Sequence, residues 1–453
     1  MNLSTMLKSC AAEGKPIKVA LIGAGKFGTM FIAQADRTPG IHLVAIADRS
    51  PANAIRNLEL LGWDAARHAA SSIDEAITSS GTFLTDEVNL LVGHPSVDII
   101  IECTGNPIAA VDHCLLAFRN GKPVINVTVE ADALCGPMLA QRAAQAGVIY
   151  SLAYGDQPAL ACELVDWART SGFTVVAAGR GHKWLPHYRS STPDEVWEHW
   201  GLGLTAEIAR AANLNPKMFN AFLDGSKPSI ESAAIANAAG LHAPVDGLAY
   251  PPGGVDDIPT IMRPRSEGGV LERKGLVETV SSIFPDGSPV ANDLRAGVWV
   301  CIEAETQYVR DSLAEYKINT DPSGRYMSLH RAWHLIGLEV GMSVAMVGLR
   351  GEATGTPSIF NADVVATAKR QLRSGEVLDG EGGFTVYGKL EPAEISVREG
   401  HLPLGLAHGV RVIRDIPADQ PVCWADLAPV DESAAYHLRK ELEAVTLGFK
   451  NKG

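Results

Sequence analysis

At 453 residues the chain is longer than one hydrophobic core ordinarily supports, so two or three domains are expected. Its composition, 46% hydrophobic and 20% charged with 44 glycines, is that of a folded α/β protein and excludes a disordered or collagen-like chain. A formal net charge of −13 with no basic run argues against a nucleic-acid partner, and the lack of a leader-like start or of about 18 consecutive apolar residues argues against a membrane, so a cytoplasmic protein is expected.

The first elements are short apolar runs separated by helical stretches: Ile17 to Ile22, Leu43 to Ala47, Val97 to Ile101, Val124 to Val127 and Val148 to Tyr150. Runs of this kind suit strands buried on both faces of a parallel sheet, and their alternation with helices predicts a doubly wound Rossmann domain over residues 1–156. Asn106-Pro107 reads as a helix start, and Gly121, Gly147 and Gly172 read as helix stops. Residues 64–96 read as a polar insertion, a helix and loop on the surface.

Residues 157–355 are mixed in pattern and are expected to form an α+β substrate domain, with a helix from Pro228 to Ala239 and a turn-rich loop at Tyr250-Pro251-Pro252-Gly253-Gly254. Residues 356–453 read as a small β-rich module with strands at Gly383 to Tyr387 and Gly409 to Ile413, closed by a helix from Ser433 to about Val445. The seven cysteines include no C-x-x-C pair and read as buried thiols rather than a disulfide or zinc framework.

Gly23-Ala24-Gly25-Lys26-Phe27-Gly28 satisfies G-x-G-x-x-G. It follows an apolar strand and opens a helix, and Asp48 ends the next strand about 20 residues on, which is the context a dinucleotide site requires. The parts contribute separately, with a tight turn at Gly23, backbone approach to the pyrophosphate at Gly25, helix–sheet packing at Gly28, and a helix N-terminus facing the anion. Asp48 suits the ribose 2′-hydroxyl of NAD, whereas Arg49 could meet the 2′-phosphate of NADP; NAD is slightly favoured. Thr104, Gly105 and Asn106, with Asn126, fall at further strand ends and are candidates for the nicotinamide half, as Glu130, Tyr154 and Asp156 are for substrate chemistry.

Arg180, His182, Lys183, His187 and Arg189 crowd into ten residues of an acidic protein, a cluster able to hold an anion and polarise a carbonyl. Lys183 is the first candidate for a catalytic role. Lys227 and Glu231 stand four apart in an order that adds little to a helix, which suggests a site lysine with a carboxylate partner. A divalent metal is possible around Glu231 with Asp256-Asp257, its ligands unknown. His330 and His334, expected on one helix face, read as core or substrate-binding residues, with Arg325 and Tyr326 as further substrate contacts.

The order of these motifs, with Glu102-Cys103-Thr104-Gly105, Gly155-Asp156-Gln157-Pro158, Asp224-Gly225-Ser226-Lys227 and Ser323-Gly324-Arg325-Tyr326, resembles the homoserine-dehydrogenase-related oxidoreductases. It is most similar to their 1-deoxy-D-xylulose 5-phosphate reductoisomerase-like group, and the stretch from Leu404 to Ala418 resembles the SAF-like β-clip module that accompanies it. The resemblance implies an NAD(P)-dependent dehydrogenase or reductoisomerase acting on a small anionic hydroxy or keto compound: a sugar acid, a hydroxy acid or a ketose phosphate. A homo-oligomer is expected. The alternatives are a homoserine-type dehydrogenase and a dinucleotide-binding sensor or scaffold without catalysis. The chain departs from the homoserine dehydrogenases after Thr128, where Glu130 and Asp132 stand in place of a lysine.

Overall fold

Strand β1 (Ile17–Ile22) is buried along nearly its whole length, as a central parallel strand must be. The computed structural model describes residues 2–212 and 214–448, and the chain divides into two units, Met1–Leu160 with His334–Ser358 and Ala161–Trp333 with Ile359–Gly453. Residues 334–358 thus group with the N-terminal unit and not with the middle of the chain.

In the first unit β1 is joined by β2 (Ile41–Ala47), β3 (Phe83–Thr85), β4 (Ile99–Glu102), β5 (Val124–Asn126) and β6 (Tyr150–Leu152). The sheet is parallel, in the order β3-β2-β1-β4-β5-β6. This is the Rossmann order, with its switch point between β1 and β4. The register aligns Ile22 with Ala47 and Glu102, Glu102 with Asn126, and Asn126 with Leu152. The segments that follow Ile22, Ala47, Glu102, Asn126 and Leu152 therefore leave the sheet at one edge.

Helices α1 (Lys26–Ala35), α2 (Pro107–Arg119) and α3 (Val129–Gln145) connect these strands. The expected cap at Asn106 is present, its Oδ1 accepting from Ala109 N at 3.0 Å, and Gly121, Gly147 and Gly172 all have positive φ. The helix Val340–Ala345 joins the same core, its Val340, Val344 and Ala345 clustering with Val19, Leu21, Phe31 and Ile46.

Residues 64–96 correct the expectation of a surface helix and loop. They hold a helix, Ile73–Ser79, and also β3, which pairs with β2 as the sheet's edge. Three half-exposed residues carry no apolar run, so only the pairing reveals the strand.

The second unit is built on a mixed sheet in the order β10-β9-β7-β8, from β7 (Thr174–His182), β8 (Leu276–Ser281), β9 (Val298–Glu303) and β10 (Tyr326–Arg331). Helix α4 (Ser226–Ala239) packs on β7 and β8, and also on β11 (Ala362–Ala368) and β13 (Val386–Pro392) of the C-terminal module. Enclosed by both, it is lined with Ala and Ser, whose small side chains let backbones approach closely: a Cβ on Gly388 would lie 3.2 Å from Ser226 Cα. The module adds β12 (Val377–Asp379) paired with β14 (His408–Arg411), and ends in α5 (Ala434–Gly448).

His330 is not on a helix. It lies exposed in edge strand β10, opposite Trp299, while His334 follows in a loop of the first unit. Hydrogen bonding to β9 overrides the local i, i+4 pattern that suggested a shared helix face.

Candidate functional site

The glycine loop of the first unit has the shape its motif requires. Gly23 has φ +95° and packs so closely that a Cβ would lie 2.6 Å from Cys103 O, and a Cβ on Gly28 would lie 2.1 Å from Gly23 O. Gly25, the N-cap of α1, differs: no heavy atom lies within 4 Å of where its Cβ would stand. Gly23 and Gly28 are thus required by packing, whereas Gly25 leaves an open approach to the helix N-terminus, the place a pyrophosphate occupies in such folds. Lys26 is exposed beside it, and Phe27 is half-buried.

Asp48 stands at the end of β2. Its carboxylate accepts from Ala24 N at 2.9 Å and Ser50 N at 2.8 Å, which ties the glycine loop to the end of β2. Arg49 is exposed. At the end of β4 the buried Glu102 carboxylate accepts from Thr104 Oγ1 at 2.6 Å and from Thr128 Oγ1, while His113 Nδ1 lies 3.2 Å away. Gly105 N donates to Thr128 Oγ1 at 3.0 Å, so this turn is held from two strand ends. Asn106 is spent on its helix cap.

Asn126 is buried, and its side-chain amide nitrogen lies within hydrogen-bond distance of Thr128 O at 3.0 Å, Asp132 Oδ2 at 2.8 Å and Tyr150 Oη at 3.0 Å, so its two N–H groups are engaged inside the first unit. Burial pushes the Asp132 carboxyl well above the usual carboxylate range, with Asp156 and Glu130 adding to the shift. Those three acids therefore stand near one another past β5 and β6. Asp156 is buried and accepts from Gln157 N at 2.9 Å; Gln157 Nε2 in turn lies 2.9 Å from His334 Nε2. Tyr154 is held through its backbone N, which donates to Ser343 Oγ at 2.8 Å.

In the second unit the basic segment does not act as one cluster. Arg180 is buried in an ion pair with Glu231, so the carboxylate expected to serve Lys227 is engaged by an arginine from β7. His182 is buried with Nε2 2.8 Å from Phe222 O, and burial, then Arg180, hold its imidazole well below the ordinary histidine range and hence neutral. Lys183 donates to His199 O and sits half-buried, its ammonium pushed down by burial and by Arg295. Lys227 lies half-buried in the first turn of α4. His187 is exposed.

Arg325 and Tyr326 belong elsewhere. They engage Glu303 and Glu267, and Tyr326 pairs in register with Glu303, which pairs with Thr174 at the start of β7. Arg180 is six residues further along that strand, about 20 Å away at the rise of an extended chain. The metal arrangement is corrected too: Glu231 is taken by Arg180, Asp257 accepts from Gly254 N at 2.9 Å, and Asp256 accepts from Asn292 Nδ2 at 3.1 Å. Among the described residues no group of three or more His, Cys, Asp or Glu is placed to hold a metal.

Sequence reasoning missed Tyr250, Glu278, Asp224 and Lys369. Tyr250 is a non-glycine residue at φ +50° whose ring stacks on Trp184 at 4.1 Å. Its backbone N and that of Ala249 donate to the buried Glu278 carboxylate at 3.3 and 3.1 Å. The Y-P-P-G-G loop was the signal for Tyr250 and Asp224-Gly225-Ser226-Lys227 that for Asp224, and each marks a turn without saying what the turn presents.

Burial pushes the Glu278 carboxyl from its usual 4.5 up to about 7, against the pull of its three backbone donors. A carboxyl raised on folding stabilises the protein fully below its unfolded pKa and loses that contribution as pH climbs through the folded value. Glu278→Gln stays neutral, so wild type should lose stability relative to this variant between pH 5 and pH 8, by about 3 kcal/mol at most. Urea titrations of both proteins at the two pH values check this; a pH-independent difference would remove the titration from Glu278.

Residues 155–340 match the family model described as the catalytic domain of the oxidoreductase DRL, and residues 363–428 match that of the SAF domain. No curated protein matches the sequence. Among solved structures, the chain is similar to a probable dehydrogenase from Thermotoga maritima, at 14% identity over 74% of this chain and 90% of that one with a TM-score of 0.37. It is also similar to a myo-inositol dehydrogenase from Corynebacterium glutamicum, at 17% identity over 40% and 48% with a TM-score of 0.27. No helix among the described residues is long and apolar enough to cross a membrane.

Proposed function

We propose, for a chain that is a DRL-type oxidoreductase with a C-terminal SAF domain, that it transfers hydride between a nicotinamide dinucleotide and a small anionic hydroxy or keto compound. The observation that carries the reading is the glycine loop: two glycines locked by packing, a third left open at a helix N-terminus, and Asp48 bonded to the loop from the end of β2. When bound, the nicotinamide supplies or takes the hydride.

The chain's own residues do the rest. The first turn of α1 faces the pyrophosphate, and Asp48 accepts from the ribose hydroxyls with the lone pairs its two backbone bonds leave free. In the second unit Lys183, half-buried and donating to His199 O, and Lys227, in the first turn of α4, are the residues suited to polarise a carbonyl oxygen. Glu130 and Asp156 are the acids suited to proton movement, since Glu231 is committed to Arg180.

The test is a panel of hydroxy acids, sugar acids and ketose phosphates scored by absorbance of the reduced nicotinamide. Turnover of one of them is expected. Tight dinucleotide binding with no turnover across the panel would favour the sensor reading instead.

Cofactor preference gives a second check. Asp48→Ala should weaken NAD by about tenfold and NADP by less, because it removes a hydroxyl acceptor and also a charge that repels the 2′-phosphate. Calorimetric titrations with both nucleotides read it directly, and equal losses would mean that Asp48 serves only to brace the loop.

A further inference from the structure

We propose that Asn57 is a positioning residue for the glycine loop: by holding the Ala24 carbonyl it turns the Ala24–Gly25 peptide so that the Gly25 N–H points out into the open approach at the start of α1.

The loop is held by the chain that leaves β2. Gly23 N donates to Ala47 O at 2.8 Å, and Ala24 N donates to Asp48 Oδ2 at 2.9 Å. The carbonyl of Ala24 is engaged as well, accepting from Asn57 Nδ2 at 2.8 Å out of the interior of the helix Pro51–Leu60. A carbonyl oxygen can only accept, so the Asn57 atom facing it is the amide nitrogen. Thr29 Oγ1 also lies 3.2 Å from Ala24 O, but a hydroxyl has one proton and this one stands closer to Gly25 O, at 2.7 Å. Asn57 is thus the firm donor to the Ala24 carbonyl.

In a planar trans peptide the C=O and the N–H that follows it point in opposite directions, and the described residues contain no cis bond. With the Ala24 oxygen turned inward to Asn57, the Gly25 N–H is turned outward. Gly25 is exposed, no heavy atom stands within 4 Å of where its Cβ would be, and among the described residues no acceptor meets its N–H. The opposite rotation of this peptide would present the Ala24 oxygen to the same opening, where it would repel a phosphate oxygen instead of donating to it.

The helix that carries Asn57 does not account for it. Asparagine is a poor residue for a helix interior, and Ala54 and Leu58 supply the buried face while Asn57 is only half-buried. What the position gains is the bond to the loop. Asp48 and Asn57 therefore act on one residue in different ways: the first fixes where Ala24 sits, the second which way its peptide faces.

The inference rests on the dinucleotide reading, and the two can fail separately. Calorimetry of the full-length protein comes first: wild type that binds no NAD would overturn both, and wild type that binds it leaves only the role of Asn57 at stake. Protein with ¹³C in its alanine carbonyls and ¹⁵N in its glycines then reports Ala-Gly pairs alone, of which the chain has five, Ala24-Gly25, Ala146-Gly147, Ala178-Gly179, Ala239-Gly240 and Ala296-Gly297. The Gly25 signal is assigned by its loss in Gly25→Ala. In wild type NAD is expected to move the Gly25 amide proton downfield, as a hydrogen bond to phosphate does, whereas adenosine, which has no phosphate, leaves it near its free position. Asn57→Leu and Asn57→Ala lack the donor and should bind NAD about tenfold more weakly, with a smaller downfield shift at saturation. A Gly25 signal that NAD leaves in place, or that adenosine moves as far, would overturn the outward N–H. Variants that melt lower yet keep the NAD affinity and the Gly25 shift of wild type would make Asn57 a brace between helix and loop, and would overturn its positioning role.

Discussion

Gly25→Val is expected to abolish dinucleotide binding, by at least about a hundredfold, while leaving the fold intact. The two halves of that expectation come from one observation. At Gly25 the backbone is extended, with φ −70° and ψ −162°, so no left-handed conformation reserves the position for glycine, and no atom lies within 4 Å of the new Cβ. The folded protein therefore accepts the side chain at about 1 kcal/mol, the scale of a poorer N-cap. The space it fills is the approach to the first turn of α1, where the pyrophosphate must come within hydrogen-bond distance of backbone N–H groups. Gly28→Val is the contrasting control: its Cβ would stand 2.1 Å from Gly23 O, so the helix must move off the sheet, at about 3 kcal/mol of stability. Calorimetry with NAD and NADP, alongside thermal melts, separates the two variants. Undiminished binding by folded Gly25→Val would sink the dinucleotide reading.

Lys369→Met is expected to destabilise the protein by about 3–5 kcal/mol, the cost of stranding a buried charge. Lys369 follows β11 of the C-terminal module and is almost wholly buried against the catalytic domain. Its ammonium lies 2.8 Å from Asp224 Oδ2 and donates to Ser191 O at 2.7 Å and Gly383 O at 2.6 Å. Asp224 also accepts from Ser226 N at 2.8 Å, so this lysine braces the start of α4 and the end of the basic segment together. Burial already pushes the Asp224 carboxyl up, and Lys369 is the strongest force holding it down. Without the lysine that carboxyl rises further. A raised carboxyl favours the folded state only while protonated, so the deficit of the variant should grow from pH 5 to pH 8. Lys369→Met with Asp224→Asn should recover part of the loss. Denaturant titrations showing an equal deficit at both pH values and no recovery would mean that the pair contributes little.

What could be read along the chain was local. The turn at Gly23, the Asn106-Pro107 helix start and strands β1, β2, β4 and β5 each depend on residues a few positions apart and stand close to where their patterns placed them, whereas β6 begins at Tyr150, where the expected run Val148 to Tyr150 ends. The place of Asp48 at the end of β2 was legible for the same reason, one strand beyond the glycine loop. The small residues of α4 marked a helix, though not the two surfaces that enclose it.

What the chain could not announce were the partners of its charges. Arg180 and Glu231, and Lys369 and Asp224, meet from distant segments, and the spacing of charges in sequence carries no record of which strand end faces which helix start. The Arg180 to Arg189 cluster looked like one basic surface because it is contiguous. In a strand alternate residues face opposite ways, and the turn beyond it separates them again, so Arg180 entered the core while Arg189 came to lie on Trp184. The sequence by itself determined a Rossmann domain with its glycine loop, because backbone conformation and burial are written in neighbouring residues. Only the tertiary structure decided which polar groups of the second unit are spent on one another and which, like Trp184 Nε1, find no partner among the described residues, because that depends on contacts closed across the whole chain.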